Sequence, residues 1–435
     1  MRRSTRQDES PHRSGRDLEP GVIEHVDSMR NEIIEFLQKL VAFPSVTGDE
    51  GAIQEFIADR LRAMGLDVDV WEPDHEELKR HPGYVPVEKG YSGRPNVVGA
   101  LRGTGGGRSL LFNGHVDVIP VQPEAWSVNP WGGEILQGRL YGRGASDMKS
   151  GVAAMTMAVK AVMDLGIKLR GDVLLEYTVD EEITGHGTLA CILRGYRADA
   201  GISCETSGLC VQPASIGRIW FEILVKGKPA GIQHRWEGVN AIEKGYGIVE
   251  AVSRLEQIRV AELHHPLYPN NMSALPCMVG AFHAGQYASA FPDTCLLKGS
   301  IATLPGESSQ EVKRGFVEHI MSYCKTDPWL KDHPPEIKFV GYFAEPSEIP
   351  ADHPIVRLVA DKFSHVTGSE AVLTGREGAA DTRFLSTFGQ TPTVIFGPGP
   401  TLQMHATDEW VPVDDVVTAV KVLALTTLEW CAPSE

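Results

Sequence analysis

The chain has 435 residues, with 41 Lys and Arg against 57 Asp and Glu, and so a formal charge of −16 with neutral histidines. That balance argues against a nucleic-acid-binding surface, and 42% hydrophobic residues supply large cores and exclude disordered and fibrous classes. Charged residues interrupt every apolar run before the roughly 18 to 20 residues that a spanning helix needs, so a soluble protein with no membrane partner is expected, built from two or three domains of roughly 150 residues each.

Residues 1–20 carry five Arg and four acids without a continuous apolar stretch. They read as a disordered tail and not as a secretory signal. The seven cysteines are odd in number, widely spaced and free of any Cys-x-x-Cys pair, which suits reduced thiols in a cytoplasm, buried and structural before nucleophilic. Apolar spacing predicts helices over 26–40 and 50–64, a strand over 66–71, a loop over 74–94, strands over 96–101 and 109–113, a helix over 148–165 and a strand over 172–179. Strands alternating with helices mean an α/β sheet.

A second region, 213–328, reads differently. It has strand 219–225, helix 240–255, strands 278–283 and 294–303, and helix 310–323, the order of a small α+β domain inserted into a larger one. Helix 354–366, strand 393–396 and helix 413–430 then resume the α/β pattern. The first domain is thereby divided into 21–212 and 329–435. Strand 219–225 is expected to offer an open edge that a second copy could pair with across a twofold axis.

Histidines and acids recur where predicted strands end, in loops free to converge. In LLFNGHVDV, His115 and Asp117 are two residues apart and share a side of an extended chain, so that Asp117 could orient a ligating His115. Alone, His-x-Asp is a weak signal and is better explained by a turn histidine. In YGRGASDMK, Asp147 stands where a Gly-rich loop enters a helix, as a helix cap also would. In YTVDEE, three consecutive acids close an apolar strand. If enclosed they repel one another unless cations neutralise them, and otherwise they form a solvated charge run. Glu181 and Glu182 would point different ways, one as general base and one as ligand. Glu205 in ISCETS and His405 in LQMHATDEW complete a set of two histidines and several carboxylates, which fits a two-metal hydrolytic site.

The ordered string GHVDV, YGRGASDMKSG, TVDEE, CETSG, GVNAIEK, IFGPG and MHATDEW resembles the M20 family of metallohydrolases, the relatives of acetylornithine deacetylase, succinyl-diaminopimelate desuccinylase, aminoacylase and carboxypeptidase G. The resemblance runs from about Arg30 to the C-terminus. It implies a catalytic domain with a mixed central sheet flanked by helices, an inserted dimerisation lid and a homodimer or higher homo-oligomer. It also implies two divalent ions per chain, one on His115 and Glu205 and the other on Glu182 and His405, with Asp147 bridging, Asp117 orienting His115 and Glu181 as general base. Mixed imidazole and carboxylate donors suit Zn, Mn or Co.

The sequence departs from the family in the lid. The family's Gly-x-x-Ala-His segment reads GKPAGIQH here, with Gly231 in the histidine's place and His234 a substitute three residues on. Its usual Asn and Arg are Ser289 and Ala302. These losses weaken a peptide-cleaving reading without touching the metal ligands. Arg383 in GAADTRF, with Arg376 as a second choice, is expected to bind a substrate carboxylate. The function expected is hydrolysis of a C–N bond in a small carboxylated substrate by an amidohydrolase or deacylase. The alternatives are an aminohydrolase of an aromatic amine such as 5-nitroanthranilate, releasing ammonia, and a non-catalytic metal-binding interaction protein.

Overall fold

The structure is a computed structural model, and it describes residues 15–432 apart from residue 88. Among the described residues the central sheet has nine strands. Eight follow one path: Asp67–Trp71, Asn96–Leu101, Val173–Thr178, Leu110–His115, Ala200–Ser203, Thr393–Ile395, Val211–Ser215 and Ser347–Glu348; Leu373–Arg376 pairs beside Val211–Ser215. Leu110–His115 runs parallel to both neighbours, and Thr393–Ile395 runs parallel to Ala200–Ser203, whereas Asn96–Leu101 is antiparallel to Val173–Thr178. The fold is thus α/β with a mixed sheet flanked by helices.

Two long helices, Ser150–Asp164 and Val413–Cys431, pack against each other and are buried along most of their length. Alanines 153, 154, 158 and 161 let that first helix approach its neighbours closely, and each Val or Leu enclosed with them contributes about 1.5–3 kcal/mol. Helix Arg30–Val41 buries Ile33, Phe36, Leu37 and Leu40, the three-and-four spacing that faces one side to a core.

The tail expectation needs correcting. Residues 1–14 lie outside the described residues, but a helix, Gly15–Ser28, occupies the rest. Val22 and Val26 are fully buried, and Glu19 pairs with Lys362 at 2.6 Å. Leu18, Val22 and Val26 form an i, i+4, i+8 stripe, which Pro20 and the surrounding charges disguise.

The second region forms a separate four-stranded antiparallel sheet ordered Cys277–Ala284, Thr294–Thr303, Gly217–Lys226 and Glu336–Ala344. Helices Ala241–Glu262 and Ser309–Cys324 cover one face, joining Ile219, Phe221, Ile223, Ile248, Leu297 and Phe316 in a core of its own. Two expectations change. The sheet takes in Glu336–Ala344, so the region reaches beyond residue 328. Strand Gly217–Lys226 lies between two partners, so it has no open edge to offer a second copy. An extra strand after a predicted terminal helix is invisible when its apolar alternation is broken by Gly341 and the exposed Val340.

Candidate metal centre

Parallel strands deliver their C-terminal ends to one side of a sheet, where an α/β fold places its site. His115 ends its strand directly beside Thr178, and Asn113 pairs with Ser203. The residues that follow these strands, Asp117, Glu181, Glu182 and Glu205, therefore emerge together. Asp147 comes from the loop entering the long buried helix and His405 from the loop after Thr393–Ile395.

The donor atoms converge. His115 Nε2 lies 3.2 Å from Asp147 Oδ1 and 3.3 Å from Glu205 Oε1, while His405 Nε2 lies 2.8 Å from Glu182 Oε2 and 3.5 Å from Asp147 Oδ2. The two oxygens of Asp147 thus face different histidines. Donor atoms of His115, Asp147 and Glu182 all lie within 4.8 Å of one another, as do those of His115, Glu181 and Glu205.

Electrostatics describe a cluster short of positive charge. Burial, reinforced by Asp147, pushes Glu182 up to about 7, and burial together with Asp381, Glu205 and Glu182 holds Glu181 well above the carboxylate range. The hydrogen bond to Glu182 lifts His405 to about 9. Burial disfavours a charged His115, yet Asp117, Asp147 and Glu205 outweigh it and raise its pKa. Protons are doing what divalent cations do for packed carboxylates, so the donor set fits the metal ions that the sequence implies.

Glu181 differs from its neighbours. Glu182 is held by His405, and Glu205 by Arg376 Nη2 at 3.2 Å and the amide of Thr206 at 3.1 Å. Among the described residues the Glu181 carboxylate takes no hydrogen bond, and its ion pair is with His115 Nε2 at 3.9 Å. A carboxylate left unengaged beside a metal cluster is positioned for proton transfer.

Asp117 works differently from expectation. His115 Nδ1 hydrogen-bonds the main-chain carbonyl of Asp117 at 2.9 Å, and the carboxylate stands off at 3.5 Å. That carboxylate instead accepts the amides of Glu181 and Glu182 at 3.1 and 3.2 Å and the Thr47 hydroxyl at 2.8 Å. It sets the backbone of the two acids as well as the ring. Asp180, the third acid, points away into Arg94, which also holds Glu50.

Two expected substrate residues are placed elsewhere. Arg383 is only 4% exposed, and its two Nη groups donate to the carbonyls of Ala380 and Thr184 at 3.0 and 2.7 Å. Two of its donors are thereby engaged, one of them on the loop that follows Glu181. His234 sits on the inserted region, exposed, beside Trp236 and 3.9 Å from Glu237, and this chain does not bring it to the cluster. Arg376 is at the centre but serves Glu205 and the Thr206 carbonyl, at 2.8 Å.

Sequence reasoning missed Glu409. It is fully buried and accepts the amides of Gly144, Ser146 and Asp147 at 2.9, 2.8 and 2.9 Å, and Arg143 Nη1 at 2.6 Å. The signal was present: an acid opens an apolar strand, Glu409 before Trp410–Pro412. The cysteine expectation is met in that all seven are free and six are buried. Among the described residues no helix is long and apolar enough to cross a membrane.

The chain is similar to known proteins along most of its length. The chain is 30% identical to an N-formyl-4-amino-5-aminomethyl-2-methylpyrimidine deformylase of Halalkalibacterium halodurans, over 94% of this chain and 97% of that one. It is 27% identical to a succinyl-diaminopimelate desuccinylase of Rhodopseudomonas palustris, over 88% and 95%. Its fold matches an M20 family metallo-carboxypeptidase of Sulfolobus solfataricus with a TM-score of 0.71 at 18% identity, covering 92% of this chain and 99% of that one. The model of Peptidase family M20/M25/M40 matches residues 111–429, which span every candidate ligand from His115 to His405, and the chain belongs to that family of metallohydrolases.

Proposed function

We propose that the protein is an amidohydrolase using two divalent ions, which removes a small acyl group from an amine and cleaves an amide C–N bond other than an ordinary peptide bond. The observation that carries this reading is the cluster itself: four side chains of metal-binding type, two to each side of Asp147, with Glu181 beside them and taking no hydrogen bond among the described residues. Similarity to a deformylase along almost the whole chain supports the bond class. His115 and Glu205 would hold one ion, Glu182 and His405 the other, with Asp147 shared; Zn, Mn and Co all suit these donors. When bound, such ions lower the pKa of water and polarise a carbonyl.

The chain's own residues do the rest. Glu181 takes a proton from the attacking water and returns it to the departing nitrogen, so that water and amide become carboxylic acid and amine. Asp117, through the amides of Glu181 and Glu182, keeps base and ligand in register. Purified protein with added Mn or Zn, offered N-formyl amines, acylated amino acids, dipeptides and aminobenzoates, tests the proposal. Amine release that stops on chelation and returns with metal supports it. Ammonia release from an aromatic amine would favour the aminohydrolase reading, and bound metal without turnover the binding role.

A second copy of the chain is the partner we propose. The inserted region exposes Trp236 (74%), Tyr287 (74%) and Tyr246 (61%), aromatic side chains of the type enriched at interfaces between proteins. Sedimentation of the intact protein as a monomer at micromolar concentration would reject it.

A further inference from the structure

One face of the inserted region's sheet is covered by helices and the other is not. On strand Gly217–Lys226 the residues alternate, with Ile219, Phe221, Ile223 and Val225 buried against the helices. Arg218, Trp220 and Glu222 therefore belong to the opposite face. There a hollow of about 510 Å³ opens, lined in part by Trp220, Met278, Ser300 and Gly341.

Arg218 is anomalous on this face. It is half-buried, yet among the described residues its guanidinium makes no hydrogen bond or ion pair. Its cross-strand partners are Ala302 on one side and Ala344 on the other, neither able to accept a bond. A buried cation without a partner is costly, and burial accordingly draws its pKa down.

The neighbouring strand supplies a second unpaired group. The register of Glu336–Ala344 slips between Phe339 and Phe343, a bulge of the kind that re-aims a side chain. Gly341 makes the bulge possible: its φ is +81°, and a Cβ there would meet the Trp220 ring at 2.9 Å. The bulge sets Tyr342 against Trp220, ring centroids 5.9 Å apart, and within electrostatic reach of Arg383, Glu181, Asp381 and Arg218. Its hydroxyl, like Arg218, has no hydrogen-bond partner among the described residues. Tyr342 thus feels both the candidate base and the unpaired cation, and the strand that carries Arg218 starts beside the cluster, where the amide of Ile216 donates to the carbonyl of Arg376 and Ser215 Oγ lies 3.3 Å from Thr382 Oγ1.

We infer that Arg218 and Tyr342 form a subsite for a carboxylate on the substrate, at the end remote from the C–N bond being cut. Acids crowd the reacting end, where Glu181 lies with Asp381, Glu205 and Glu182, whereas no acid pairs with Arg218 among the described residues. A carboxylate there would accept from the guanidinium and the phenol together. Trp220 would form an apolar wall for a planar body between the two ends. This subsite rests on the amidohydrolase reading for what lies at the other end, and it assigns to Arg218 the anion recognition that the sequence suggested for Arg383.

The test uses the intact protein and a matched pair of probes, 4-formamidobenzoate and 4-formamidobenzamide. Calorimetric titration of metal-loaded wild type, Arg218→Ala, Arg218→Lys and Tyr342→Phe reads binding whether or not turnover occurs, so failure of the hydrolytic reading leaves this one decidable. Wild type should bind the carboxylate better than the carboxamide, and Arg218→Ala should weaken the carboxylate alone by about tenfold to a hundredfold. Arg218→Lys should recover part of the loss, and Tyr342→Phe should lose less than Arg218→Ala. Where turnover is measurable, the loss should fall on KM and spare kcat. A wild type indifferent to the carboxylate, or Arg218→Ala weakening both probes equally, overturns the inference.

Discussion

Glu409 accepts the backbone amides of Ser146 and Asp147 through one oxygen, Oε1, at 2.8 and 2.9 Å, so it fixes the peptide carrying the carboxylate whose two oxygens face His115 and His405. Its other oxygen binds the amide of Gly144 and the guanidinium of Arg143. Glu409→Gln replaces an acceptor by a donor that faces N–H groups. Loss of supports of this kind typically costs about 10- to 100-fold in metal affinity or activity. Competition with a chelator should show that weakening, and unchanged metal affinity and turnover would show that the loop holds Asp147 without it.

Glu181→Gln tests the base. The side chain is not hydrogen-bonded, so the substitution disturbs little structure. Turnover should fall by about 10² to 10⁴-fold while two metals per chain remain. Elemental analysis alongside kcat separates the roles: metal loss would make Glu181 a ligand, and near-normal kcat would remove it from proton transfer.

Arg376 lies against the same cluster, and its expected effect is on one ion. It holds Glu205 at 3.2 Å, and Glu205, Asp147, Glu181 and Glu182 offset the cost of its burial. Arg376→Met should free Glu205 to rotate and lower occupancy of the His115 site before the His405 site. Metal titration of the variant should show one tight and one weakened equivalent. Two equivalents of unaltered affinity would contradict the dependence on Arg376.

The convergence of most candidate ligands was legible because His115, Glu182, Glu205 and His405 end or follow short apolar strands of the central sheet, and neighbouring parallel strands bring such ends together whatever lies between them; Asp147 is delivered instead by the loop entering the buried helix. The supports were not legible. Glu409 meets Ser146 across 263 residues, and Arg376 meets Glu205 across 171, distances over which local pattern carries no information. Arg383 shows the converse: a solitary Arg beside an acid in a glycine-rich stretch looks available to a ligand, and only tertiary packing reveals carbonyls at Ala380 and Thr184 taking its donors. In the inserted region the alternation of Ile219 to Val225 gave the strand but not its central position, which depends on Glu336–Ala344 arriving more than a hundred residues later.

The last prediction concerns pH and a carboxylate behind the site. Glu176 is fully buried in strand Val173–Thr178; Oε2 accepts from Asn113 at 3.1 Å, and Oε1 has no partner. Burial, reinforced by Asp381, pushes its pKa from 4.5 to about 8. Between those values the folded chain keeps a proton that the unfolded chain releases. The folded state binds more protons, so stability falls as pH rises through that window and levels off above about 8. Glu176→Gln keeps the shape and cannot ionise, so it lacks this fall. In metal-free buffer the two proteins should melt at similar temperatures near pH 5, and the variant should gain steadily to about pH 8, by an amount on the order of a few kcal/mol. Melting curves that stay parallel from pH 5 to 9 would mean that Glu176 is already ionised in the folded protein and that a compensating charge has been overlooked.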